Sequence, residues 1–136
     1  MIENAPKFDP VKYKETTLEQ WESAAEAWHR WGTLLTTWLD HPTQVMLDMA
    51  SIRPGSQVLD IAAGAGDQTM VVADRIGSQG RVLATDISPS ILEFAAARAS
   101  EAGFGNVETR TLDGEKLSTL EEGSFDAAIS RVGMIY

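Results

Sequence analysis

Between Leu18 and Leu39 apolar side chains return at a helical interval. Leu18, Trp21, Ala25, Trp28, Leu35 and Leu39 fall near one stripe, and Trp31, Leu34 and Trp38 widen it. Thr17-Leu18-Glu19-Gln20 has the form of a capping box, a hydroxyl followed three residues later by an amide. The residues before it are polar, carry Pro6 and Pro10, and read as an arm. Gly32 is a weak point within the helix. His41-Pro42 is expected to end it, because a residue before proline avoids the helical region. Val45, Met46 and Met49 predict a short second helix reaching Ser51, and Arg53-Pro54-Gly55 predicts a turn.

From Gln57 the period changes. Short apolar runs alternate with helical stretches, and turn residues separate them. Val58-Leu59-Asp60-Ile61-Ala62 reads as a buried strand, and Asp67 to Ile76 as a helix. After Gly77-Ser78-Gln79-Gly80 a second strand runs to Asp86. Ser88-Pro89 is a cap followed by proline at the first helical position, and that helix stops at Gly103-Phe104-Gly105. The pattern predicts an α/β fold, a Rossmann-like parallel sheet with strands near 57–62, 81–86, 107–111 and 125–130 and helices N-terminal to it. Residues 1–52 read as an arm and helical cap, and 53–136 as a cofactor-binding half-domain. Val132-Gly133-Met134-Ile135-Tyr136 is apolar and has no stop signal. A doubly wound sheet continues on that side of its first strand, so the domain reads as C-terminally incomplete.

Composition narrows the partners. The 136 residues carry a formal net charge of -9, which repels nucleic acid and anionic membrane surfaces. No apolar run is long enough to span a bilayer, and the N-terminal MIENAPKFDP has no apolar core of a secretory signal. The absence of cysteine excludes disulfides and thiolate chemistry and fits a cytoplasmic protein. His29 and His41 stand apart without a tight acidic pattern, so no metal site is expected. No catalytic dyad is legible, and His29 as a general base is the remote option.

The chemistry concentrates in Val58 to Thr69, VLDIAAGAGDQT. A ligand of a doubly wound sheet sits at the carboxyl ends of the strands, where strand order reverses. Glycines there permit unusual backbone angles and close approach of a ligand to the main chain. A nicotinamide dinucleotide is one candidate. Gly64 and Gly66 supply two positions of its G-x-G-x-x-G fingerprint, but the third falls on Thr69. Asp60 and Asp67 also place carboxylates where two phosphates would lie. A cationic nucleoside without phosphate suits these acids better.

Four segments carry a resemblance. VLDIAAGAGD at 58–67, VLATDIS at 82–88, LDGEKL at 112–117 and SFDAAISRVGMIY at 124–136 occur in the order found in class I S-adenosylmethionine-dependent methyltransferases. The chain resembles that family from about Ser56 onward, and within it the group containing the ubiquinone and menaquinone biosynthesis methyltransferases. The resemblance implies S-adenosyl-L-methionine as cofactor and a small-molecule methyl acceptor. It also implies roles. Ala62, Gly64 and Gly66 would line the methionine moiety, and Asp60 would accept from its ammonium directly or through water. Asp86 would take the ribose hydroxyls and Ile87 would cover the adenine. Asp113 would accept from the adenine amine, and the Gly114 N–H could donate to the ring. Ser130 and Arg131 would lie where the fourth strand meets the ligand. The family's first glycine is Ala62 here.

Each residue has a plainer alternative. Asp86 could help start the following helix, Asp113-Gly114 is an ordinary turn pair, and Asp67 is expected to cap its helix rather than touch ligand. The four tryptophans at helical spacing are expected to pack, the alternative being a lid helix with Trp28, Arg30 or Trp31 near the mouth. Against the enzyme reading stands a non-catalytic binding or assembly module. Its exposed fourth strand would pair with a second copy as a homodimer.

Overall fold

The computed structural model describes residues 7–133. Met1 to Pro6 of the expected arm, and Met134, Ile135 and Tyr136 of the apolar end, lie outside the described residues. Three helices come first: α1 (Pro10–Arg30), α2 (Gly32–Trp38) and α3 (Asp40–Met49). The α/β part follows as β1 (Gln57–Ile61), α4 (Asp67–Ile76), β2 (Arg81–Asp86), α5 (Pro89–Glu101), β3 (Val107–Thr111), a 3₁₀ turn (Leu117–Thr119) and β4 (Ala127–Ile129). Every strand pairing is parallel and the order is β3-β2-β1-β4. The chain winds outward from β1 to β3 and then returns to the other side of β1. The reversal therefore falls between β1 and β4, and this is the Rossmann-like sheet the pattern predicts, its fourth strand shorter than expected.

The N-terminal helices depart from the sequence reading in three places. α1 starts at Pro10, not at Thr17. Asp9 is its N-cap, accepting from the backbone N–H groups of Val11 and Lys12, and Pro10 takes the first helical position. An Asp-Pro start outcompetes an interior Thr because proline's missing N–H is not needed in the first turn. The long helix breaks at Trp31, one residue before Gly32. His41-Pro42 does not end a helix but lies in the first turn of α3, where proline is tolerated.

One apolar cluster joins the two parts. Leu47 of α3 and the following Ile52 are buried with Val58, Val72, Ala73, Ile76, Val82 and Ile129. A smaller cluster of Ala25, Ala65 and Ile91, flanked by Trp28 and Phe94, seats α1 on α5 and on the turn after β1. Trp21 and Trp28 pack with ring centroids 5.7 Å apart, as expected for a packed stripe. Trp31 and Trp38 do not follow that expectation and are 58% and 74% exposed. Among the described residues, no helix is long and apolar enough to cross a membrane.

Candidate functional site

The turn after β1 is built on left-handed backbone. Ala62, Gly64 and Gly66 have φ of 56°, 60° and 86°. A glycine at position 62 would adopt this angle freely, whereas alanine there costs about 1–2 kcal/mol. Gly66 has a second reason to lack a side chain. A Cβ there would lie 3.0 Å from the Ala95 Cβ and 3.2 Å from its Cα, forcing α5 away. The turn thus brings the start of α4 close to α5.

The neighbouring loops are tied to this turn. The Gly64 N–H donates to Asp86 Oδ2 at 2.9 Å, and the Ser88 N–H donates to Oδ1 at 3.0 Å. The Leu112 N–H donates to the Asp86 carbonyl at 2.9 Å, which brings the Asp113-Gly114 loop to the same sheet edge. A Cβ on Gly114 would lie 3.3 Å from Ile61 Cγ2, and one on Gly133 would lie 2.4 Å from the Ala62 Cβ. Ser130 Oγ, 2.8 Å from that same Gly133 position, is buried and has no hydrogen-bond partner among the described residues. Asp60, Ala62, Gly64, Gly66, Asp86, Ile87, Asp113, Gly114 and Ser130 therefore lie near the carboxyl ends of β1, β2, β3 and β4, the sheet edge that includes the strand-order reversal between β1 and β4.

The acids there have distinct environments. Asp60 is fully buried, accepting from Gln68 Nε2 at 3.0 Å and Thr69 Oγ1 at 2.7 Å. Burial pushes its carboxyl up to about 6, against the pull of those two donors and of the Arg131 charge. Burial also raises Asp86, outweighing the backbone N–H groups of Ser88, Gly64 and Ile87 that favour its charge. Asp67 is not the cap of α4. Gly66 holds the cap position with no side-chain bond, and Asp67 one residue later pairs with Arg98 at 2.5 Å. A buried acid with an arginine at hand gains more from the ion pair than from the already fixed turn.

Three charged residues that the sequence pattern does not connect to the site, Lys14, Glu22 and Arg98, reach it from afar, and Arg131, expected there from the resemblance, finds a partner on α3. Lys14 of α1 donates to Asp113 Oδ2 at 2.8 Å and also pairs with Glu115, which holds Asp113 below the usual carboxylate range. Glu22 of α1 accepts from the Ser88 and Ser90 hydroxyls and from the Ser90 N–H at the start of α5. Those bonds hold its carboxyl below the ordinary value. Arg98 reaches Asp67 and the Ala65 carbonyl from α5. Arg131, just past β4, donates to Thr43 Oγ1 of α3 at 2.9 Å.

A surface cavity of about 390 Å³ lies elsewhere, between α5 and β3, and its lining residues carry no ionisable side chain. Chemistry argues for the turn instead, where backbone, hydroxyl and carboxylate groups converge. Among the described residues no cluster of three metal-ligating side chains exists. Asp67 is neutralised by Arg98, but Asp60 and Asp86 have no ion-pair partner among the described residues, and those two acids favour a cationic or hydroxyl-rich ligand over a pyrophosphate.

Comparison with known proteins points the same way. A ubiquinone/menaquinone biosynthesis C-methyltransferase from Hydrogenovibrio crunogenus is 36% identical over 89 residues, 65% of this chain and 35% of that protein. The chain thus spans about a third of the length of the curated relatives it matches. A solved coclaurine N-methyltransferase, bound to N-methylheliamine and SAH, superposes with a TM-score of 0.57 at 26% identity, covering 66% of this chain and 26% of that one. A putative S-adenosyl-L-methionine-dependent methyltransferase from Methanococcus maripaludis superposes over 100% of this chain and 56% of its own, with a TM-score of 0.73. At 19% identity that likeness speaks for the fold alone. The model of the methyltransferase domain family matches residues 58–136, from the first residue of the β1 apolar run onward. The chain belongs to the methyltransferase domain family.

Proposed function

We propose that this chain binds S-adenosyl-L-methionine at the turn after β1 and forms the cofactor-binding part of a methyltransferase acting on a small molecule. The observation that carries the reading is Asp86. It ends β2 beside a left-handed turn whose Gly64 N–H it accepts. Each carboxylate oxygen has a further lone pair, so the fixed Asp86 retains capacity for a vicinal diol. Ser130 Oγ adds a buried hydroxyl without a partner among the described residues at the same sheet edge. Asp60 has no exposed surface, so it acts on an ammonium through its charge from beneath the turn rather than by open contact. Asp113 serves an adenine amine only in competition with Lys14. Ala62, Gly64 and Gly66 offer main chain to the amino-acid part, and Ile87 and Gly114 flank the base.

The cofactor supplies an activated methyl group on a positively charged sulfur. The protein then has to bind and orient two partners, and little acid–base machinery is obligatory. That fits a site without a legible catalytic dyad. Residues 53–136 carry the cofactor groups, residues 1–52 act as a helical cap, and a cytoplasmic setting suits the cysteine-free chain.

Calorimetric titration with S-adenosyl-L-methionine and with NAD tests the reading. Binding of the first alone is expected, and binding of NAD alone overturns it. Asp86→Ala is expected to weaken S-adenosyl-L-methionine by about 1–3 kcal/mol, the cost of stranding hydrogen-bonded partners. Unchanged affinity removes Asp86 from the site.

The edge position of β4 supports a second reading, a homodimer paired through that strand. Light scattering after size exclusion is then expected to give twice the 14.8 kDa chain mass. A monomer at high concentration excludes it.

A further inference from the structure

We infer that the outer edge of β3 binds a second copy of this chain, antiparallel and centred on Thr109. The inference concerns a different edge from β4 and does not depend on the cofactor reading. β3 ends the sheet on the side away from β4, so its outer edge has no neighbouring strand among the described residues. The Asn106 carbonyl accepts from the Val82 N–H, and the Leu112 N–H donates to the Asp86 carbonyl. Backbone groups alternate along a strand, so those of Glu108 and Arg110 also turn toward β2. The N–H and C=O groups of Val107, Thr109 and Thr111 therefore face outward. Neither proline nor lysine nor a bulge guards this edge, and the register with β2 runs unbroken from Val107 to Thr111.

The strand VETRT is complementary to itself when reversed. With Thr109 opposite Thr109 of the other copy, Val107 meets Thr111, and Glu108 meets Arg110 on each side of the axis. The outward groups of Val107, Thr109 and Thr111 then exchange backbone hydrogen bonds. Glu108 and Arg110 take the non-hydrogen-bonded positions, where facing Cα atoms come within about 4.5 Å and side chains are closest. Sliding the pair by two residues sets Glu108 against Glu108 or Arg110 against Arg110, so charge fixes the register. In the single chain Glu108 pairs with Arg110 at 3.0 Å and with Arg81 at 3.3 Å. The strip thus holds two arginines and one glutamate, and does not share the negative balance of a chain with net charge -9. On the α5 side a groove follows the same edge. Its two parts share Ala96 and Thr109, and Val107 lines one part and Thr111 the other. The valine and threonine side chains of the other copy project on this face and cover it.

In sedimentation equilibrium the unaltered chain is expected to pass from 14.8 kDa to twice that mass as its concentration rises. Amide hydrogen exchange is expected to slow at Val107, Thr109 and Thr111 over the same range. Glu108→Arg and Arg110→Glu each set like charges opposite one another, and each is expected to weaken the dimer by about tenfold or more. Both side chains are partly exposed, so neither change disturbs the core. Mixing the two variants brings arginines against acids in both pairs, and is expected to restore a dimer with one copy of each. The exchange measurement needs no variant and decides the matter if either variant fails to fold. A monomer at every concentration overturns the inference. So does a dimer whose exchange at β3 is unchanged, which is the pairing through β4, or a dimer that both variants form as tightly as the unaltered chain.

Discussion

Leu47→Ala is expected to lower the stability of the chain by about 2–5 kcal/mol and to unfold its helical cap and its sheet together. Leu47 has no exposed surface and projects from α3 into the cluster of Val58, Val72, Ile76, Val82 and Ile129. Three of its carbons would leave a cavity bounded by strands on one side and α4 on another. Such walls relax poorly, because the sheet is fixed by hydrogen bonds along β1, β2 and β4. Against the 5–15 kcal/mol typical of a domain, a loss of this size is a large fraction of the whole. All four tryptophans lie between residues 21 and 38, so their fluorescence reports the cap. Far-ultraviolet circular dichroism reports helix and sheet. In urea both signals are expected to shift to lower midpoints by the same amount. A fluorescence midpoint that stays put while the dichroism midpoint falls would make residues 1–52 an independently stable unit.

The reason for expecting joint unfolding also explains what the sequence could convey. The sheet was legible because Val58 to Ile61 and Val82 to Asp86 are short, mostly apolar runs carrying one acid at or near the end, a local pattern that needs no knowledge of the partner strand. The turn was legible because Gly64 and Gly66 mark backbone angles few other residues adopt. The start of α1 was misread because two local signals compete, and periodicity alone does not rank Asp9-Pro10 above Thr17. Lys14, Glu22 and Arg98 were illegible for another reason. Lys14 meets Asp113 across 99 positions, Glu22 meets Ser88 across 66, and Arg98 meets Asp67 across 31. Hydrogen bonds and ion pairs at such separations leave no period, so only the folded chain shows that α1 lies against the candidate site. Asp67 illustrates the consequence: its place at the head of a helix suggested a cap, and a distant arginine decides its role.

Asp60 is where the needs of the fold and of the ligand oppose each other, and Asp60→Asn is expected to separate them. Burial raises its carboxyl from 3.8 to about 6. A raised carboxyl means that the folded chain holds its proton more tightly than the unfolded chain. Its stabilising contribution is therefore full below pH about 4 and is lost as pH rises through about 6. Two pKa units correspond to about 3 kcal/mol, which the ionised group costs the fold at pH 7. Asparagine has nearly the same shape. Its amide oxygen can accept from Gln68 Nε2, and the Thr69 hydroxyl can turn to accept from the amide nitrogen, so the contacts at 3.0 Å and 2.7 Å are retained. Asp60→Asn is thus expected to be more stable than the unaltered chain at pH 7 by up to about 3 kcal/mol, and equal to it near pH 4. Urea unfolding at the two pH values measures this, and a variant that is less stable at both would show that the carboxylate's hydrogen bonds outweigh its burial. Cofactor binding should move the opposite way. A cationic ligand favours the ionised acid, so affinity of the unaltered chain for S-adenosyl-L-methionine is expected to fall as pH drops below about 6. In Asp60→Asn the affinity should be weaker at pH 7, and the component of the pH dependence due to Asp60 should vanish. A more stable variant that binds the cofactor as tightly as before would leave Asp60 a buried acid without a ligand role, and the charge beneath the turn would have to come from Asp86.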